Sequence, residues 1–150
     1  MERMNGLDLF SGIGGLSLAL KEFVRPIAYC EIKPFAQAVL LSRMAEGRLD
    51  SAPVWDDVRT FDGQAWKGVV DIIVAGSPCQ GFSVAGAGKG LEGERSGLFR
   101  EVLRLADEIS PSFIFLENVP AIRTRGLETI VQELSARGYD TRWRMLAASD

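Results

Sequence analysis

The chain has 150 residues, 47% of them hydrophobic, and a formal net charge of −3, a size and composition that fit one domain with a single core. It contains no histidine, which excludes a Cys-His dyad, a Ser-His-Asp triad and an ordinary zinc site. Lysine and arginine are scattered, so composition does not predict a self-sufficient nucleic-acid-binding surface.

Apolar segments and cysteines indicate the compartment. No apolar stretch is long enough to span a bilayer, and the N-terminus lacks a signal-peptide pattern. We therefore expect a soluble, cytoplasmic protein with no membrane partner. Cys30 and Cys79 each lie next to the end of a predicted strand and neither belongs to a CxxC pair, which favours free thiols in a reducing compartment.

The first βα unit is a strand over residues 4–10, a glycine-rich turn at 11–15 and a helix over 16–24. In doubly wound folds this unit cradles a phosphate or cofactor, because glycine lets the backbone approach the ligand closely. The turn glycines are Gly12, Gly14 and Gly15. Their spacing matches neither the dinucleotide fingerprint nor a Walker loop. A tight turn that needs glycine only for its backbone is the alternative.

A second unit combines a strand from Pro26 to Glu31 with a helix from Pro34 to Glu46, in which the proline suits the first helical turn. Glu31 falls at the carboxyl end of its strand, about twenty residues past the glycine turn, where nucleoside-binding sheets hold ribose hydroxyls. The alternative is a carboxylate that is simply favoured by the neighbouring helix dipole.

Two more strands end in acidic residues. Residues 53–55 predict a short third strand with Asp57 just beyond it, a candidate partner for an adenine amino group, although a solvated turn is typical of such a position. Residues 112–116 predict a buried strand that ends at Glu117. Sheet order is expected to place Glu117 beside the strand over residues 70–76.

A cysteine follows the apolar strand over residues 70–76. Pro78 stiffens the loop, so the thiol of Cys79 is held just past the carboxyl end of a parallel strand, where open α/β sheets place their chemistry. The loop alone leaves a nucleophile and a structural turn equally open. The glycine-rich stretch at 85–97 predicts either a mobile lid that closes on substrate or a plain surface loop.

The remaining pattern predicts an amphipathic helix over 98–109, a helix over 127–137 ending at Gly138, and a last strand over 139–147. Strands thus alternate with helices along the chain. The fold class is therefore α/β, with a doubly wound, mostly parallel sheet.

These residues resemble a known family. The segments 8–15 (DLFSGIGG), 76–83 (GSPCQGFS) and 117–119 (ENV) closely resemble motifs of the DNA (cytosine-5-)-methyltransferases, in the family's order. The resemblance covers the whole chain, because the intervening cofactor motifs also have counterparts. Those counterparts are residues 30–32, 56–58 and 96–99.

The resemblance implies a Rossmann-like methyltransferase fold that binds S-adenosyl-L-methionine. It implies that Cys79 is the nucleophile and that Glu117 contacts a cytosine flipped out of double-stranded DNA. It assigns the ribose to Glu31 and the adenine amino group to Asp57. The other implied cofactor-binding residues are Phe10, Gly12, Gly14, Ile32, Val58, Pro78 and Leu98. Ile32 stands where many members have an aromatic residue, which predicts weaker stacking on adenine.

The family's later motifs have no counterpart in residues 1–150: an arginine-containing segment, the target-recognition region and a C-terminal helix. We therefore expect an incomplete catalytic and cofactor-binding domain, cut before the last strands, with the strand over 139–147 exposed as an edge. A C-terminal chain or domain would then complete it. A catalytically inactive relic or regulatory protein and an unrelated α/β enzyme with a reactive cysteine are the alternatives.

Overall fold

The computed structural model describes residues 1–76, 97–118, 123 and 126–146. In these ranges five strands form one sheet in the order β3-β2-β1-β4-β5, and every neighbouring pair is parallel. The strands are β1 (Met4–Leu9), β2 (Val24–Cys30), β3 (Val54–Trp55), β4 (Ile72–Gly76) and β5 (Phe113–Glu117). The predicted parallel α/β architecture is confirmed, as is the placement of β5 beside β4.

Helices connect the strands and cover both faces of the sheet. The α-helices are α1 (Gly15–Ala19), α2 (Pro34–Ala45), α3 (Gly97–Ile109) and α4 (Leu127–Ala136). Two 3-10 helices, Val58–Thr60 and Gly63–Trp66, follow β3. Along β4, Ile73 joins the apolar cluster that contains α3, whereas Ile72 and Val74 pack with Leu16 of α1. This alternation is what a strand with a helix layer on each face requires. In the described ranges, no helix is long and apolar enough to cross a membrane.

The first helix is shorter than the predicted range 16–24. The carbonyl of Leu20 accepts hydrogen bonds from the amides of Phe23 and Val24, at 2.8 and 2.9 Å, which closes a turn after α1. Val24 is then the first residue of β2 and pairs with Met4. It is 3% exposed. A β-branched side chain is better accommodated in a buried strand than at a helix end, which explains the difference.

Strand β2 begins two residues before the predicted start at Pro26. The ladder partners are Gly6 with Pro26 and then Leu7 with Ala28, so one extra residue of β2 bulges out. Proline has no amide proton to donate, and a bulge is the usual way for a sheet to admit it.

The predicted strand over 139–147 is wrong for residues 139–146, the part that the structure describes, which pair with no other strand. Its apolar side chains Trp143, Met145 and Leu146 are each more than half exposed. Alternating apolar residues produced the prediction, but a strand forms only where a ladder partner satisfies its backbone. In the described ranges the edge strands are β3 and β5, each with one neighbour.

Candidate active site

The carboxyl ends of the parallel strands all lie at the same end of the sheet. Strand β1 lies between β2 and β4, so the strand order reverses there, and Leu9 pairs with both Cys30 and Ala75. Next to them, Gly76 at the end of β4 pairs with Glu117 at the end of β5. Open α/β sheets bind their ligands at such a reversal of strand order, outside the carboxyl ends.

The turn after β1 has an unusual backbone. Phe10, Gly12 and Gly14 have φ values of 55°, 55° and 86°, in the left-handed region. The turn is tied to β2 by the amide of Ser11, which donates to the carbonyl of Cys30 at 3.0 Å. Among the described residues, no heavy atom lies within 4 Å of a Cβ atom built at Gly12. Glycine is therefore needed there for its backbone conformation, since φ is 55°.

Glu31 joins this turn to helix α2. Its Oε2 accepts a hydrogen bond from the amide of Gly12 at 2.7 Å, and its Oε1 accepts one from the amide of Lys33, the N-cap of α2, at 2.9 Å. The residue is 7% exposed. The helix-terminus alternative is thus part of what Glu31 does. A carboxylate offers about four lone pairs, so these two bonds leave acceptor capacity for a ligand hydroxyl.

Asp57 caps the 3-10 helix that follows β3. Its Oδ1 accepts a hydrogen bond from the amide of Arg59 at 3.0 Å, and the Arg59 guanidinium binds both carboxylate oxygens, with Nη2 2.7 Å from Oδ2. These hydrogen bonds hold the pKa of Asp57 below its ordinary value. Val58, the next residue, is buried in the apolar core. Asp57 is therefore an ionised acceptor at a strand tip.

Arg104 of α3 fixes the same 3-10 helix from the other side, a role that the sequence analysis missed. Its guanidinium donates to the carbonyls of Val58 and Phe61, at 2.9 and 3.1 Å. It also forms ion pairs with Glu101 and Glu108 of its own helix, at 2.7 and 2.8 Å. The spacing of these glutamates on a helix is readable from sequence, whereas the contacts with distant carbonyls are not.

Glu117, Leu16 and the carbonyl oxygen of Phe10 lie beside Gly76. A Cβ atom at Gly76 would be 3.3 Å from Leu16 Cδ1 and 3.7 Å from Glu117 Oε2. Glu117 is an exposed residue. Phe10 and Leu98 are half-buried and pack against the core cluster that contains Val58.

A buried acid lies directly beneath the glycine turn. Asp8 is 2% exposed, and its Oδ2 accepts a hydrogen bond from the hydroxyl of Ser17. In the part of the chain that the structure describes, Oδ1 has no hydrogen-bond partner. Burial raises the pKa of Asp8 to about 6, and the hydrogen bond from Ser17 offsets part of that effect. Asp8 is not among the predicted site residues, although an acid inside an apolar strand is a signal that the sequence shows.

Cys30 is a free thiol, as predicted. It is buried at the end of β2, and burial, helped by the negative charges of Asp57 and Glu31, raises its pKa to about 12. A thiol in that environment stays protonated and unreactive. Cys30 is therefore part of the core beneath the site.

The family model for C-5 cytosine-specific DNA methylases matches residues 4–150. The chain belongs to this family. It is 37% identical over 144 residues to the type II methyltransferase M.CviJI of Paramecium bursaria Chlorella virus IL3A, an alignment that covers 95% of the chain and 38% of that protein. It is 34% identical over an alignment of 158 residues to the type II methyltransferase M.NgoMIV of Neisseria gonorrhoeae, covering 99% of the chain and 47% of that protein. The chain thus spans less than half the length of these curated relatives.

Solved structures show the same fold. The Dnmt2 methyltransferase of S. pombe superposes with a TM-score of 0.67 at 23% identity, over 89% of this chain and 42% of the other. The Entamoeba histolytica methyltransferase EhMeth superposes with a TM-score of 0.69 at 19% identity, over 91% and 45% respectively. These neighbours confirm the methyltransferase fold of this C-5 cytosine methylase relative.

The predicted site residues fall into three groups. The first group lies at or just after the carboxyl ends of the strands, or near the start of α3. Its members are Phe10, Gly12, Gly14, Glu31, Asp57, Val58, Leu98 and Glu117. Ile32, next to Glu31, is 58% exposed and forms the second group. Pro78, Cys79 and residues 85–96 of the predicted lid lie outside the described residues.

Proposed function

We propose that this chain is the cofactor-binding and catalytic part of a DNA methyltransferase that transfers a methyl group from S-adenosyl-L-methionine to C5 of cytosine. The observation that carries the proposal is the bridge that Glu31 makes between Gly12 and the N-cap of α2. It fixes a glycine turn and an acceptor beside each other at the point where strand order reverses. Family membership and the fold of the structural neighbours support the reaction class.

The residues at the sheet edge fit an adenosyl cofactor. Glu31 has acceptor capacity for ribose hydroxyls, and Asp57 is an ionised acceptor for the adenine amino group. The half-buried Phe10 and Leu98 offer apolar surface for the rings and pack against the core cluster that contains Val58. Pro78 is proposed to flank the same pocket. The cofactor supplies a methyl group bonded to a positively charged sulfur, a charge that suits this acidic edge.

The proposed chemistry uses Cys79 and Glu117. The thiolate of Cys79 adds to C6 of a cytosine that has left the base stack, which makes C5 nucleophilic. Glu117 hydrogen-bonds at N3 and holds a proton there, which offsets the negative charge that addition creates. After C5 carries the methyl group, loss of its proton and departure of the thiolate restore the aromatic ring. Because the chain has no histidine, local backbone dipoles and substrate-assisted proton movement are proposed to favour the thiolate.

Double-stranded DNA is the proposed substrate, with a further polypeptide region as the partner that reads it. The chain spans 38% and 47% of the two type II relatives described above, and its net charge is −3. A net negative charge is unfavourable for the non-specific electrostatic part of DNA affinity. We therefore propose that residues 1–150 form an incomplete catalytic domain and that a C-terminal domain or chain supplies base recognition.

Cofactor binding is the first test. Calorimetric titration of the 150-residue chain with S-adenosyl-L-methionine is expected to show one site. Glu31→Gln keeps the size and one oxygen of the side chain but removes its charge, and one amide nitrogen then faces a backbone amide or a ribose hydroxyl. Because a hydrogen bond to a charged group contributes about 1.5–3 kcal/mol, affinity should fall by about tenfold or more.

Glu22→Gln is the matched control, because Glu22 is an exposed glutamate outside the site. It should bind the cofactor as the unchanged chain does. A folded chain that takes up no cofactor, or equal affinity of the Glu31→Gln and Glu22→Gln variants, would contradict the proposed role of Glu31. Circular dichroism of each variant establishes that the chain is folded.

A further inference from the structure

Arg59 and Asp57 form a two-part contact. One part is the backbone: the amide of Arg59 donates to Oδ1 of Asp57 at 3.0 Å, which caps the 3-10 helix Val58–Thr60. The other part is the side chain: Nε lies 2.9 Å from Oδ1 and Nη2 lies 2.7 Å from Oδ2. The guanidinium thus binds both oxygens as a fork, which fixes the plane of the carboxylate as well as its position.

The backbone amide and the guanidinium of Arg59 have different effects on Asp57. Without the guanidinium, the backbone amide still holds Oδ1, so the cap and the 3-10 helix remain. Oδ2, however, would lose its bond to Nη2, and the carboxylate could rotate about its terminal torsion, which has a broad energy profile. The side chain of Arg59 therefore restricts the direction in which Oδ2 presents its remaining lone pairs.

We propose that Arg59 is a positioning residue that makes the cofactor site selective for a 6-amino purine by orienting Asp57. This inference rests on the proposed role of Asp57 toward adenine. An amino group donates to a carboxylate, whereas the carbonyl of hypoxanthine at the same position repels it. Such discrimination requires a carboxylate of fixed direction. The Arg59 side chain is 64% exposed, so its effect on the stability of the fold is small.

The test compares two ligands, S-adenosyl-L-methionine and its deaminated analogue in which hypoxanthine replaces adenine. Calorimetry gives the ratio of their dissociation constants for the 150-residue chain and for its variants. We expect a ratio of about ten or more in favour of adenine for the unchanged chain, since one hydrogen bond to a charged group is gained and one repulsion avoided. Arg59→Ala should reduce the ratio to near one, with the thermal unfolding midpoint nearly unchanged.

Two further variants sharpen the result. Arg59→Lys keeps the positive charge but cannot bind both oxygens as a fork, so it should lose the selectivity as the alanine variant does. Arg48→Ala is the matched control, because Arg48 forms an exposed ion pair with Glu46, also two residues earlier in the chain. It should keep the full ratio.

The outcomes separate this inference from the function on which it rests. If Asp57→Asn abolishes the selectivity and Arg59→Ala keeps it, the role of Arg59 is overturned and that of Asp57 stands. Tighter adenine binding in Arg59→Ala overturns it too, because Arg59 would then compete with the cofactor. If Arg59→Lys keeps the selectivity, the two-oxygen contact of the guanidinium is not required and the positive charge alone explains the effect of Arg59. An unchanged chain that binds neither ligand, or both equally, overturns the adenine role of Asp57 and this inference together.

Discussion

Asp8 is an ionisable residue in a buried position, where the ionised form of a carboxyl group is unfavourable. It is 2% exposed, lies near the end of β1 just before the glycine turn, and is hydrogen-bonded by Ser17. Burial raises its pKa from the ordinary 3.8 to about 6. The hydrogen bond keeps the N-terminal part of α1 attached to β1, beneath the proposed cofactor site. Part of the stability of this region should therefore depend on pH.

The sign of that dependence follows from the raised pKa. Because the folded state binds the proton more tightly than the unfolded state, the contribution of Asp8 to stability is complete below pH 3.8 and disappears as pH rises through 6. A shift of this size corresponds to about 3 kcal/mol. Urea unfolding between about pH 4 and about pH 7.5 should show the chain losing about that much stability relative to Asp8→Asn, which cannot ionise.

Asp140→Asn, a change at an exposed aspartate, should show no such trend relative to the unchanged chain. If the difference in stability between the unchanged chain and the Asp8→Asn variant is constant across this range, Asp8 does not titrate with the raised pKa and the prediction is wrong.

What sequence predicts for single residues depends on how local their contacts are. Glu31 and Asp57 were both predicted as strand-tip acids, since the end of a strand can be read from a few neighbouring residues. That Glu31 also binds the amides of Gly12 and Lys33 is a property of the folded backbone. The guanidinium of Arg59 on Asp57 depends on a side-chain conformation. Neither contact has a periodic signal.

At the scale of elements, α3 is attached to the adenine side of the proposed pocket through Arg104. Arg104→Met removes the donor to the carbonyls of Val58 and Phe61 and leaves two glutamates without their cation. For a group about one-third exposed, we expect a loss of about 1–2 kcal/mol in the free energy of unfolding, measured in urea. Affinity for S-adenosyl-L-methionine should fall as well, because Asp57 and Val58 belong to the released segment.

Arg137→Met provides the comparison. Arg137 also forms two ion pairs: the pair with Asp107 joins α3 to the end of α4, and the pair with Glu133 lies within the end of α4. In the described ranges, the hydrogen bonds of its side chain go to Asp107 and Glu133. The substitution should lower stability while leaving cofactor affinity unchanged. Equal effects of both substitutions on affinity would mean that Arg104 acts only through general stability.

Element boundaries were predictable where the local pattern has one solution. The ranges of α2, α3 and α4 agree with the prediction within a residue, because apolar periodicity and a proline or glycine terminus point the same way. The range 16–24 was predicted as a helix, but its last residue, Val24, pairs with Met4 and belongs to strand β2. That pairing is not visible in the local sequence. Residues 139–146 have no ladder partner in the described ranges, and no local pattern reveals this.

Across the whole molecule, the two faces of β5 differ. Ile114 and Leu116 pack against the core cluster, whereas Phe113 and Phe115, which alternate with them, are 57% and 39% exposed. The strand also has one neighbour, β4, in the described ranges. An edge that combines unpaired backbone with exposed aromatic side chains is a site of association between chains. The curated relatives, of which the chain spans less than half, have more polypeptide with which to cover it.

We therefore expect the 150-residue chain to self-associate through β5. Phe113→Lys places a charge on the exposed face of the edge and should reduce association, measured by sedimentation velocity across a range of concentrations. Phe35→Lys is the control, since Phe35 is 79% exposed but lies on helix α2, which presents no strand edge. It should associate as the unchanged chain does. If both substitutions reduce association equally, apolar exposure alone drives it; if the unchanged chain is monomeric at every concentration, β5 is not an associating edge.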